Sequence, residues 1–211
     1  RIGVLLGTTH DSYASKAYPK ARIQQYKTPS DMILAVKTGK VDAAIYSREE
    51  LVEMMRTQSE LGLLEQSLFS TPIAMGFNHR NTELRRAFNR FLNQIKQNGI
   101  YDAMVSRWII RGETGMPLIP KPSTGKTLTA GIISDNGLPF TVVKDNRLVG
   151  FNIELMERFG SYLGVTVTYQ DIEFGSLIAA TAGGKVDMIA AVMAITEERK
   201  KQIAFSDPYY E

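Results

Sequence analysis

The sequence contains no cysteine, which removes disulfides, thiolate nucleophiles and Cys-ligated zinc from consideration. Its histidines are His10 and His79 only, too little material for a His-built metal site, so neither a metal nor a cofactor is implied. No apolar run approaches the ~18 residues that a membrane-spanning helix needs. The opening stretch, Arg1 to Gly7, lacks the basic, apolar and small-residue order of a signal peptide. Charge of one sign is missing too: 25 basic residues against 22 acidic ones are mixed along the chain and leave a net charge of +3. No block of like charge stands out as a nucleic-acid arm or polybasic membrane anchor. Enzyme signatures are equally absent, since there is no GxSxG, HExxH or P-loop, and Gly183-Gly184 reads as a helix stop rather than a phosphate cradle. What remains is a chain of 211 residues, 44% of them hydrophobic, enough for one large core or two modest ones.

The apolar run Ile2 to Leu6 breaks at Gly7-Thr8-Thr9 and is followed by Tyr13, Ala14 and Ala17 at helical spacing, which reads as strand, turn and helix. Ser30 is placed to cap a helix with Ile33, Leu34 and Val36 on its apolar side; Gly39 ends it, and Val41 to Tyr46 reads as a buried strand. Gly39-Lys40-Val41-Asp42 recurs far downstream as Gly184-Lys185-Val186-Asp187, again after a helical pattern and before an apolar strand. The echo suggests two similarly built lobes. Between the echoes, Leu84, Ala87, Phe88, Phe91, Leu92 and Ile95 define an amphipathic helix ended by Gly99. Ile100 to Ile109 supplies its hairpin partner, with Trp108 a core residue. Arg111 to Lys126 gathers glycines and prolines without periodicity and reads as a linker. Beyond it come a strand from Leu128 to Ile133, a helix carrying Leu155, Met156, Phe159 and Tyr162 and stopped by Gly164, and an alternating strand from Val165 to Tyr169. Alternating strands and helices predict an α/β fold with parallel sheets.

Several motifs coincide in the second half: Leu138-Pro139-Phe140, Val149-Gly150-Phe151-Asn152-Ile153-Glu154-Leu155, Gly184-Lys185-Val186-Asp187, Thr196-Glu197-Glu198-Arg199 and Phe205-Ser206-Asp207-Pro208-Tyr209-Tyr210. In this order they resemble the first lobe of the bacterial extracellular solute-binding proteins of the polar amino-acid type. Ile2 to Ala14 and the stretch Gly39 to Leu51 resemble the second lobe. Leu68 to His79 is similar to the family's return hinge strand, and Asn81 to Trp108 to its C-terminal helices. The resemblance implies the two-lobed periplasmic-binding-protein type II (Venus-flytrap) fold with its lobes in circularly permuted order. Residues 1–70 would be a second-lobe half, 71–110 the return hinge strand and C-terminal helices, 111–127 a linker and 128–211 a first-lobe half. Either the chain is one permuted module or it holds the end of one tandem module and the start of the next; its halves could assemble within a chain or by swapping into a dimer.

The resemblance also assigns site residues. Arg199 matches the family's ligand-carboxylate arginine, a role suited to a rigid bidentate fork. Thr8 and Thr9, at a helix start where free N–H groups attract an anion, would complete the clamp from the second lobe. Phe174 matches an apolar position against the ligand; Val192 and Met193 match main-chain contacts, and Phe140 and Phe151 support the site from the core. Ala194 stands where a hydroxyl is usual, Gly137 where an aromatic lid is usual, and Ser47 where an aspartate usually meets the ligand's ammonium. Ser134 falls at a further acidic position, with Asp135 adjacent. A buried ammonium without a counter-charge costs several kcal/mol, so Asp135, Glu49 or Glu50 would have to substitute. The implied function is extracytoplasmic capture of a small carboxylate-bearing solute, an amino acid, for an ABC-type transporter. The alternative is a ligand-sensing module of a membrane receptor such as a sensor kinase. The implied partners are the ligand and a membrane permease or sensor domain, with no nucleic acid, and the implied location is periplasmic or extracytoplasmic, including a membrane-tethered form. The cleft positions have lost the acids that dehydratase relatives use, so catalysis is not expected.

Overall fold

The computed structural model describes residues 1–56 and 58–211. The first third builds a small parallel sheet from β1 (Ile2–Leu5), β2 (Ile23–Tyr26) and β3 (Ala43–Ala44), ordered β2-β1-β3, with helices α1 (Thr9–Ala17), α2 (Pro29–Lys37) and α3 (Arg48–Met55) between and after the strands. Each helix starts where the sequence offers a cap. Thr8 Oγ1 accepts from the Asp11 amide at 3.3 Å. For α2 the cap is Thr28 and not Ser30: Thr28 Oγ1 accepts from the Asp31 amide at 3.1 Å, which leaves Pro29 at the first helical position, where a missing N–H costs nothing. The strand expected over Val41 to Tyr46 is shorter than its apolar run, pairing only at Ala43–Ala44. The chain leaves the ladder because Tyr46 turns into the interior, its hydroxyl donating to the Asn136 carbonyl at 2.8 Å.

The second sheet draws on both halves of the chain. After β4 (Gly76–Phe77) come α4 (Thr82–Gln97) and α5 (Ile100–Val105), which runs on as a π-helical turn, Ser106–Ile110. Residues 112–126 carry no regular element. Then follow β5 (Thr127–Ile132), the hairpin β6 (Val142–Lys144) and β7 (Arg147–Val149), α6 (Phe151–Leu163), β8 (Thr166–Asp171), α7 (Phe174–Ala182), β9 (Met188–Ile189), α8 (Glu197–Lys200) and β10 (Ala204–Phe205). The strand order is β10-β4-β9-β5-β8, with β5 parallel to β8 and β9, and β4 antiparallel to both of its neighbours. Gly76 sits tightly in β4: a Cβ there would lie 3.0 Å from the Cδ1 atoms of Ile189 and Ile203, which would have to shift. Among the elements outside the periodicity reading are β2, α3 and the β6–β7 hairpin, whose turn places Asp145 (φ 49°) and Asn146 (φ 60°) in the left-handed region that short hairpins demand.

Two cores result. On one face of the large sheet, Phe88, Phe91, Leu92 and Ile95 of α4 and Trp108 meet Leu128, Phe151, Leu155 and Phe159. Trp108 is buried, and its Nε1 donates to Glu154 Oε2 at 2.6 Å, while Arg107 and Arg158 hold the same carboxylate at 2.9 and 2.8 Å. The second core joins the sheets, with Leu5, Met32, Ile33 and Tyr46 from the small one against Ala74, Ile133, Phe174, Leu177, Ile189, Met193 and Ile203.

Phe88 is fully buried, its ring 5.1 Å from that of Phe159 and 6.0 Å from those of Phe77 and Phe91. Phe88→Ala should lower the unfolding free energy in urea by about 3–5 kcal/mol and, because its neighbours come from both halves, should do so within a single transition. Two separate transitions would show that the halves fold independently.

Candidate functional site

A cavity of about 820 Å³ lies between the two sheets, lined by both. Its principal charge is Arg199. Thr196 caps α8, its Oγ1 accepting from the Arg199 amide at 3.2 Å, and so aims the side chain inward. The guanidinium is 7% exposed and bridges the lobes: Nη1 donates to the Ala194 carbonyl at 2.8 Å and Nη2 to the Gly7 carbonyl at 3.0 Å. It lies 5.2 Å from the centre of the Phe174 ring, a cation–π arrangement. Burial lowers its pKa to about 10, which leaves it charged at neutral pH. No carboxylate among the described residues forms an ion pair with it.

Opposite Arg199 stands the start of α1. Thr8, Thr9 and His10 all line the cavity. The Thr8 hydroxyl is committed to the fold, donating to the Leu5 carbonyl at 2.7 Å while capping the helix. Thr9 carries no comparable side-chain bond among the described residues. His10 was not among the site residues expected, although it sits in the motif that nominated its neighbours. Burial, with a smaller contribution from the Arg199 charge, pushes its pKa down from 6.5 to about 4. Its Nδ1 is buried with no hydrogen-bond partner among the described residues. Its ring packs 6.0 Å from Tyr46 and 5.6 Å from Phe69.

Phe174, Val192, Ala194 and Ser47 also line the cavity, joined by Phe140, Asn136, Phe69 and Tyr210. Met193 is buried behind them, its carbonyl accepting from the Ala74 amide at 3.1 Å. Ser47 is the cap residue of α3 but makes no side-chain capping bond. Ser134 and Asp135 are not among the lining residues. Ser134 is turned to Asp171, its amide donating to Oδ1 at 3.0 Å and its hydroxyl to Oδ2. Burial raises the pKa of Asp135. Of the acids that do line the cavity, Asp42 is held by the Arg1 guanidinium and Glu60 by Lys37, each at 2.7 Å, while Glu211 accepts from the Ser70 hydroxyl at 3.4 Å. Glu49 has no cationic partner among the described residues; it accepts from the Tyr210 hydroxyl at 3.2 Å, a bond that again crosses between lobes. Glu49 was visible in the sequence as an acid near Ser47, but nothing there indicated which of Glu49 and Glu50 faces the cavity.

A family model described as bacterial extracellular solute-binding proteins, family 3, matches residues 10–111 and 130–211. The chain belongs to this family. Curated relatives include the probable histidine-binding protein of Campylobacter jejuni, 36% identical over 88 residues, covering 42% of this chain and 34% of that protein. The arginine-binding extracellular protein ArtP of Bacillus subtilis is 40% identical over 72 residues, covering 34% of this chain and 28% of its own length. The chain thus spans about a third of the length of these relatives. Among solved structures, an ancestral arginine-binding protein bound to glutamine matches at 44% identity with a TM-score of 0.39, covering 40% of this chain and 38% of that one. The family is one of extracellular solute binders, and neither it nor these relatives lend support to the sensor-kinase alternative. Among the described residues, no helix is long and apolar enough to cross a membrane.

With its pKa depressed to about 4 in the folded state, His10 contributes stability that is present above pH 6.5 and is lost as the pH falls towards 4. Titration followed by the imidazole NMR signals should place one histidine near pH 4; both histidines titrating at 6 or above would contradict this environment.

Proposed function

We propose that this chain captures a small carboxylate-bearing solute, an amino acid, between its two lobes and that the captured solute is handed to an ABC-type permease outside the cytoplasm. The observation that carries this reading is Arg199, a charged guanidinium 7% exposed in the cavity without an acidic partner among the described residues. It uses two of its donors on main-chain carbonyls; a carboxylate is the stronger acceptor and would take its place in a charge-assisted, two-pronged bond. Thr9 and the first N–H groups of α1 supply donors from the opposite lobe, and the positive end of that helix favours an anion. Phe174 packs against the guanidinium, while Val192 and Ala194 also line the cavity. The counter-charge for an ammonium comes from Glu49, oriented by Tyr210, in place of the aspartate that Ser47 replaces. The histidine- and arginine-binding relatives support an amino-acid ligand. Binding rather than catalysis is the role of these residues.

Isothermal titration with a panel of L-amino acids and the corresponding des-amino carboxylates tests this. Arg199→Ala should weaken every binder by about 2 kcal/mol or more, roughly 30-fold. Glu49→Gln should weaken the amino acids while leaving the des-amino acids unchanged. If neither class binds, or if the Arg199 variant binds as well as the parent, the assignment fails.

A further inference from the structure

The lobes also meet at a polar contact to which the solute-capture reading gives no task. Asn136, in the loop after β5, is 5% exposed. Its main-chain carbonyl accepts from the Tyr46 hydroxyl at 2.8 Å, and its Nδ2 donates to Glu50 Oε1 at 3.0 Å. Tyr46 and Glu50 belong to the small-sheet lobe, and Glu50 is 0% exposed. Its other oxygen, Oε2, is buried and has no hydrogen-bond partner among the described residues. The next residue along the loop, Gly137, closes over the Glu50 stem, where a Cβ would come within 3.6 Å of Glu50 Cγ and of Met54 Cε. No cation pairs with Glu50 among the described residues. A full negative charge in such a place would be desolvated and unpaired, the costliest state for a carboxyl group.

We infer that Glu50 is a proton-dependent lock on lobe closure: the lobes come together with its carboxyl group protonated, and the proton leaves when they part. The balance is one proton, taken from water on closing and returned on opening. The lock does not depend on which solute the cavity holds.

The surroundings agree. Burial pushes the Glu50 pKa from 4.5 up to about 8, helped by the negative charge of Glu49 on the same helix, and outweighs the hydrogen bonds from the backbone and from Asn136 that favour the charged form. Tyr209 and Tyr210, facing it from the segment after β10, and Tyr46 beside it all have raised pKa values and stay neutral. Asp135 acts on Tyr46 from the same loop as Asn136. His10, against the Tyr46 ring, works in the opposite sense. Its pKa falls from 6.5 to about 4 on burial, so closing expels a proton from it below pH 6.5. The Glu50 effect, which alone would run from pH 4.5 to 8, is therefore unopposed between pH 6.5 and 8. In that window closure is favoured by acid and weakens about tenfold per pH unit; above pH 8 it levels off.

The test is small-angle X-ray scattering of the ligand-free chain from pH 6.5 to 9, alongside 13C NMR of the glutamate carboxyl carbons. Expected are one carboxyl titrating near pH 8, a radius of gyration that grows from pH 6.5 to 8 and then stays constant, and loss of both effects in Glu50→Gln, which keeps the Asn136 bond without a titrating proton. The NMR and scattering series on the parent protein decide the matter even if the variant does not fold. The lock is overturned if every glutamate titrates below pH 6, if the scattering does not change over this window, or if Glu50→Gln opens with pH as the parent does.

Discussion

A two-residue antiparallel pairing, with β4 seated between β9 and β10, is the constraint from which the rest of the architecture follows. It inserts a segment from before the irregular stretch at 112–126 into a sheet whose other strands come after it. Met75 and Phe77, both 0% exposed, anchor it on the face that α4 covers. Once β4 is fixed, α4 and α5 can only return across one face of the sheet, where Phe88, Phe91 and Trp108 cover Phe151 and Phe159. Such long-range pairing closes a large loop before its contacts form, a cost that grows only slowly with loop length. The buried aromatic cluster supplies the offsetting burial. Gly76 eases the pairing locally, since a Cβ there would crowd Ile189 and Ile203 at 3.0 Å.

The same segment ties fold to site. Ile73 bridges to both Ala194 and Tyr210, so the chain that closes the sheet also places the carbonyl that accepts from Arg199 and the hydroxyl that donates to Glu49. Burial then sorts the ionisable groups. It leaves Arg199 charged, keeps His10 neutral and drives Glu50 towards its protonated form. The exposed pairs, Arg1 with Asp42 and Lys37 with Glu60, add little to stability in water; their effect is to neutralise acids that would otherwise set the charge of the cavity wall.

The amphipathic stretch Leu84 to Ile95 was legible because its apolar residues recur at the helical period over several turns, and the structure returns it as α4 (Thr82–Gln97). The helix stopped by Gly164 and the alternating strand after it are α6 (Phe151–Leu163) and β8 (Thr166–Asp171). The strand β2 was not legible: Ile23 to Tyr26 includes Gln24 and Gln25, has no alternation, and becomes a strand only because β1 offers its edge. Val41 to Tyr46 erred the other way, an apolar run that pairs at two residues because Tyr46 answers to Asn136 across the cleft.

Local pattern determined by itself what depends on neighbours in sequence: the helical periods, the helix start at Thr8 and Thr9, the glycine stops, and the family whose motifs Arg199 and its neighbours carry. Tertiary structure alone decided which polar groups share a cavity. Ser134 is turned away by Asp171 and Asp135 lies outside the lining, whereas His10, Glu49 and Tyr210 face inward with Arg199. Glu49 and Glu50, adjacent in the chain, lie at a lining position and in the closed interior respectively. The reason is geometric: successive residues on a helix point about 100° apart, and only the position of the opposite lobe fixes which direction is water, which is ligand space and which is core.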